Sequence, residues 1–240
     1  MNRNSALLWL PRIEAISLPT PRTIIVPYSH HATLAILDGE PSPEAERLSE
    51  KIRKAGEAIG WPVFIRSDLT SAKHSGPRAY RIDKPDQVGS VMCQTIEDNE
   101  LKMWLERDGP KAILVRQFLE LDHGFTCFSD LPIAREWRLF SDGGRVLCKH
   151  PYWPAESLEE HFYVEEPAGW REILADHHTE PPEMPELERM AIVAARVQGF
   201  DCKPEGSWSV DFARDTAGKW WLIDMATMQD SYHWPGCPKS

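Results

Sequence analysis

Residues Trp208 to Ala226 read WSVDFARDTAGKWWLIDMA, the most informative run in the chain. Two alternating stretches flank Thr216-Ala217-Gly218-Lys219, a turn composition, so the run predicts a β-hairpin. A two-residue or a four-residue turn gives the same pairing. Asp215 then faces Trp220, Phe212 faces Ile223, and Asp211 faces Asp224. Directly opposed side chains sit about 4.5–5.5 Å apart at Cβ. Two carboxylates so placed repel each other unless a cation neutralises them. Magnesium takes hard oxygen ligands and bridges to phosphates, so it fits such a pair. The competing explanation is a solvated sheet face, and a one-residue slip in the turn would separate the two aspartates.

Upstream lies a second hairpin, Arg135 to Tyr152 (REWRLFSDGGRVLCKHPY). An Asp142-Gly143 turn places Glu136 opposite Lys149 and Arg138 opposite Leu147. A Gly143-Gly144 turn places Arg138 opposite Lys149 instead. Either register is expected to gather Glu136, Arg138 and Lys149 on one face, with Trp137, Leu139, Val146 and Cys148 on the other. Arginine forks and lysine point charges are what a polyphosphate clamp requires. An exposed ladder of cross-strand ion pairs is the plainer alternative.

Residues 43–59 predict a helix. Ser42 suits the cap, Pro43 the first helical position, and Gly60 the end, while Leu48, Ile52, Ala55 and Ile59 recur at helical spacing. Trp61 to Ser67 reads as a strand ending in Arg66. The loop Asp68 to Pro77 carries Lys73 among small and hydroxyl residues, without the glycines of a Walker loop. A helix over 86–105, a strand over 111–121 and a helix over 185–198 complete the order, which signals mixed helix–sheet architecture. Thr23 to Tyr28 reads as an edge strand because of Pro27. Residues 1–21 are expected to be irregular, and the proline-rich, acidic stretch 154–183 to be an exposed flap.

The 240-residue chain carries a formal charge of −10, which argues against broad binding to nucleic-acid backbones. Five cysteines without a C-x-x-C pair argue against a zinc ribbon and predict reduced thiols in a cytoplasmic protein. No run is long enough to span a bilayer. The pairs His30-His31 and His177-His178 read as surface residues, and the tryptophans as packing.

In their order, these pieces resemble the ATP-grasp superfamily. The resemblance covers residues 61–231 and rests on Arg66 and Lys73, the strand AILVRQFLEL, the EWRLF hairpin ending in Lys149, and the VDF…LID hairpin. It is strongest to the small ATP-grasp proteins of phages and bacteria. Eukaryotic cell-division-cycle assembly chaperones share a strand like Glu136-Trp137-Arg138. The resemblance implies an α/β (α+β) fold of two lobes with ATP between them: a truncated lead-in over 1–60, an N-terminal lobe over 61–118 and a C-terminal lobe over 119–240. It implies that Val115, Gln117, Phe118 and Glu120 meet adenine and ribose. Arg66, Lys73, Arg138 and Lys149 would hold phosphates, with Glu136 beside them, and Arg138 and Lys149 would serve catalysis. Asp211 and Asp224 would hold Mg²⁺. Family members usually have an asparagine two residues after the second acid; here it is Ala226, with Thr227 and Gln229 nearby. The implied reaction is ATP-dependent carboxylate–amine ligation through an acyl phosphate, with an unknown peptide, protein or other macromolecule as acceptor. The alternative is a nucleotide-dependent binding or assembly protein without turnover.

Overall fold

The computed structural model describes residues 2–29, 36, 42–69, 80–105, 109–128, 131–162, 166–199, 206–235 and 237. Lys73, His30, His31 and Cys202 lie outside these residues. The chain divides into two compact units, residues 1–7 with 21–119 and residues 8–20 with 120–240.

The first unit is built on an antiparallel sheet in the order β1-β4-β2-β3. Its strands are β1 (Thr23–Pro27), β2 (Val63–Ser67), β3 (Arg81–Ile82) and β4 (Ala112–Gln117). β1 lies at one edge, where the missing N–H of Pro27 costs no ladder bond. Helix α2 (Pro43–Ile59) starts as its sequence predicts: Ser42 Oγ accepts from the amides of Glu44 and Ala45. It packs on β1 and β4, burying Leu48, Ile52 and Ala55 in one core with Val26, Ile113 and Val115. Such burial contributes about 1.5–3 kcal/mol per large aliphatic side chain. Helix α3 (Val88–Leu105) adds Val88, Met92 and Ile96 to the same core.

Helix α1 (Ala6–Ala15) corrects the expectation of an irregular start. Ala6, Trp9, Leu10 and Ile13 are all buried, the i, i+3, i+4, i+7 stripe of an amphipathic helix. Pro11 hid it. The proline sits inside the helix on the exposed side, where tertiary burial of the other face outweighs one lost hydrogen bond.

The second unit centres on the antiparallel sheet β10-β9-β7-β8. Its strands are β7 (Glu136–Ser141), β8 (Val146–Pro151), β9 (Trp208–Arg214) and β10 (Trp220–Thr227). Helix α6 (Met184–Gln198) buries Met184, Leu187, Ala191, Ala194 and Ala195 and packs against β7, β8 and β9. A hairpin of β5 (His123–Cys127) and β6 (Leu131–Ala134) stands beside it.

The stretch 154–183 is no open flap. It contains α4 (Ala155–Glu159) and α5 (Trp170–His178). Leu158, Trp170 and Leu174 close a core with Phe125, Phe128, Ile133 and Trp153. Among the described residues of this stretch the acids are exposed and Pro154 caps α4, while Leu158, Trp170 and Leu174 point inward.

Candidate functional site

The face of the second sheet opposite α6 carries a row of polar side chains, and strand register builds it. Asp211 pairs with Asp224 across β9 and β10, as the hairpin reading expects. The route differs from that reading: Phe212 faces Leu222 rather than Ile223, Trp220 faces Arg214, and a bulge lies between Leu222 and Asp224. Without the extra residue, Asp224 would point to the opposite face.

Asp211 also pairs with Arg138 on β7, and Arg138 with His150 on β8. The row therefore runs Asp224–Asp211–Arg138–His150 across four strands. Ala226, Ser209, Phe140 and Cys148 form the next row by the same ladders. Glu136, opposite Ala213, shares the face and is buried.

Arg138 binds Asp211 with both arms of its fork, Nε to Oδ1 at 2.7 Å and Nη2 to Oδ2 at 2.7 Å. Its guanidinium lies 4.7 Å from the centre of the Tyr152 ring. Burial works against the Arg138 charge, but Asp211, with smaller help from Tyr152 and Asp224, raises its pKa above the ordinary guanidinium value. Asp224 is half-buried and accepts the Met225 amide at 2.9 Å.

The structure does not bring Lys149 to this face, which corrects the expected register. The turn spans Asp142 to Arg145, with the Asp142 carboxylate accepting the amides of Gly144 and Arg145 at 2.8 and 2.9 Å. A bulge follows, and Lys149 lands opposite Leu139 rather than Glu136 or Arg138. Its ammonium ion-pairs with Glu180 at 2.9 Å and with Glu188 of α6 at 2.8 Å. Burial opposes that charge, and Glu188 and Glu180 more than compensate, so its pKa is raised. Cys148 moves the other way, onto the Arg138 face.

In the first unit Arg66 is buried on the sheet face away from α2 and α3, its Nε donating to the Ser67 carbonyl at 3.1 Å. Val115 is fully buried in the helix-covered core and pairs with Ile24 and Ile65 on the central strand β4. Gln117 is exposed, and Phe118 lies under Arg81, 4.3 Å from ring centre to guanidinium carbon. Glu120, in the second unit, is exposed, and its carbonyl accepts the Thr216 amide at 2.9 Å.

Two carboxylates in register offer hard oxygen donors of the kind magnesium takes, one or two at a time, alongside phosphates. Asp224 is the less buried of the two, and Arg138 already engages both Asp211 oxygens. Ala226 supplies no side-chain donor. Thr227 points to the opposite face and donates to Asp230 at 2.6 Å. Tyr152 and His150 were not anticipated from sequence; the strand parity linking them to Arg138 appears only once the four-residue turn is known.

The profile of an ATP-grasp domain, family 3 of the R(2)K clade, matches residues 58–237. No curated protein matches the chain. C-terminally truncated Cdc123 from Schizosaccharomyces pombe superposes with a TM-score of 0.57 at 12% identity, over 94% of this chain and 83% of that one. A biotin carboxylase complex from Campylobacter jejuni gives 0.51 at 13% identity, over 100% of this chain and 42% of that one. The ATP-grasp ligase PsnB, complexed with minimal precursor, gives 0.50 at 10% identity, over 98% of this chain and 55% of that one. At these identities the likeness establishes the fold.

Proposed function

The chain belongs to the ATP-grasp domain family, family 3 of the R(2)K clade, and from that premise we propose that it binds ATP with Mg²⁺ and uses it to join a carboxylate to an amine. The observation that carries this reading is the row Asp224–Asp211–Arg138, in which a guanidinium fork and two opposed carboxylates share one sheet face. Bound MgATP supplies a transferable phosphoryl group. Arg138 supplies planar two-point recognition of a phosphate, once Asp211 yields one or both arms of the fork. Asp224, with Asp211 behind it, holds the metal by charged oxygen. Within the first unit, Arg66 is the residue the family resemblance assigns to phosphate, and Gln117 and Phe118 those it assigns to the base.

In the reaction the acceptor carboxylate attacks the γ-phosphorus and ADP leaves. The amine then displaces phosphate from the acyl phosphate and loses a proton. Positioning and charge neutralisation suffice for this chemistry, so no protein nucleophile is required. The acceptor is a peptide, protein or other macromolecule. Ala226 favours a second reading, in which the chain binds nucleotide without turnover, because position 226 offers no side-chain donor beside Asp224.

Thermal melts with millimolar ATP and Mg²⁺ test the shared premise. Ligand at about 100 times its dissociation constant adds about 2.7 kcal/mol of stability. Absence of both a shift and a calorimetric binding signal would overturn both readings. Slow ADP release that no carboxylate–amine pair accelerates would favour the second.

A further inference from the structure

Beside the Arg138 row, four side chains of metal-ligating type converge. Cys148 and His150 alternate along β8, so both project to one face. His233 and Cys237 are brought over that face by the segment after β10, where the Cys237 amide bonds the Trp234 carbonyl at 3.0 Å and tightens the turn. One ligand atom from each of the four lies within 4.8 Å of every other. Cys148 Sγ and His233 Nδ1 are 3.7 Å apart. A tetrahedral zinc site with bonds near 2.0–2.3 Å has ligand–ligand edges of about 3.3–3.8 Å. One pair already meets that spacing, and the others need to close by roughly 1–1.5 Å at most.

The surroundings favour a ligand site over ordinary packing. His150 Nε2 is buried and makes no hydrogen bond among the described residues. A buried ring nitrogen in that state is costly unless something engages it. The His233 ring stacks on Phe140 with centroids 3.8 Å apart, which fixes its plane without using its nitrogens. Cys148 and Cys237 are thiols rather than halves of a disulfide. Two sulfurs and two imidazoles are a soft, mixed donor set that suits zinc and not magnesium.

We propose that Cys148, His150, His233 and Cys237 form a closed structural site for one zinc ion. Binding replaces two S–H protons by two Zn–S bonds and releases both protons. The resulting Zn(Cys)₂(His)₂ unit is neutral, so it stands next to Arg138 without adding charge. It clips His233 and Cys237 over the face of β8, the outer strand of the sheet. The site shares the row of Arg138 only through His150, which the nucleotide reading does not use, and either can fail alone.

The test is metal analysis of untagged full-length protein purified without chelator, followed by Co²⁺ replacement. We expect about one zinc per chain and an intense visible cobalt spectrum of tetrahedral thiolate type. Cys148→Ser and His233→Asn each drop zinc below about one fifth of a mole per mole, whereas Cys93→Ser, in the first unit, leaves it unchanged. Chelation lowers the melting temperature of the wild type. If Cys148→Ser fails to fold, the wild-type cobalt spectrum still decides. Wild-type protein with negligible zinc after dialysis against micromolar Zn²⁺ would overturn the proposal. So would an octahedral cobalt spectrum, or a Cys148–Cys237 disulfide in freshly purified protein.

Discussion

Two aspartates that look equivalent in the sequence occupy different physical states. Asp211 is buried, and both its oxygens are held by Arg138; their side chains are 5% and 16% exposed. Asp224 lies directly opposite, half-buried, and accepts a backbone amide. Replacing one partner of a buried ion pair strands the other, which costs about 3–5 kcal/mol. Asparagine keeps the shape and one acceptor, so Asp211→Asn should destabilise the ligand-free protein by about 3 kcal/mol. Asp224→Asn removes a like charge from across the strand and should stay within about 1 kcal/mol of wild type. Both should lose most of the Mg²⁺-dependent part of ATP binding. Urea titrations without ligand, paired with Mg²⁺ titrations of ATP affinity, separate stability from metal response. Equal apo stability of the two variants would contradict the fork geometry, and unchanged Mg²⁺ linkage in both would remove the metal assignment.

At the scale of elements, helix α5 carries a second consequence of burial. His177, in its last turn, is 5% exposed, and its Nδ1 has no hydrogen-bond partner among the described residues. Burial first and Arg135 next lower its pKa to about 4, against the upward pull of Asp122 and Asp176, with His178 adding the smallest downward contribution. The unfolded chain takes up this proton near pH 6.5, while the folded chain resists until about pH 4. Stability from this group is therefore full above pH 6.5 and falls as the pH drops toward 4. Each pKa unit is worth about 1.4 kcal/mol, so the whole loss is about 3.5 kcal/mol. His177→Gln should flatten the difference between denaturation at pH 7.5 and pH 4.5 by a large part of that; an unchanged slope would refute the assignment. The same elements show what the sequence could reveal. Helix α2 was legible because Ser42, Pro43 and Gly60 mark its ends and its apolar stripe is regular. The Asp211–Asp224 pairing was expected from the turn, but the register around it was not: the pairs on its turn side are displaced by one residue, and the bulge before Asp224 restores the pairing. Lys149 was misplaced because a glycine-rich turn admits several loop lengths, and each added residue exchanges the two faces. Helices α1 and α5 were hidden for a different reason: proline and acidic residues dominate local composition, while Trp9, Ile13, Trp170 and Leu174 are buried through distant partners.

For the whole molecule, charge sets how a nucleotide arrives. The chain carries −10 and MgATP is also an anion, so at long range they repel. The cations proposed to hold phosphate, Arg138 and Arg66, are largely buried, and the salt of bulk solvent screens them weakly at contact. At about 10 mM salt the screening length is near 30 Å, long enough for the net charge to oppose approach; at 0.15 M it is about 8 Å. Raising salt across this range should therefore increase the association rate of MgATP a few-fold and leave its dissociation rate almost unchanged. Affinity then improves modestly with salt, opposite to the steep loss expected when phosphates bind an exposed basic surface. Stopped-flow binding of a fluorescent ATP analogue at constant free Mg²⁺ measures both rates. An association rate that falls steeply with salt would mean that a positive local field outweighs the net charge at a distance. The phosphate site would then have to include exposed cations beyond Arg138 and Arg66.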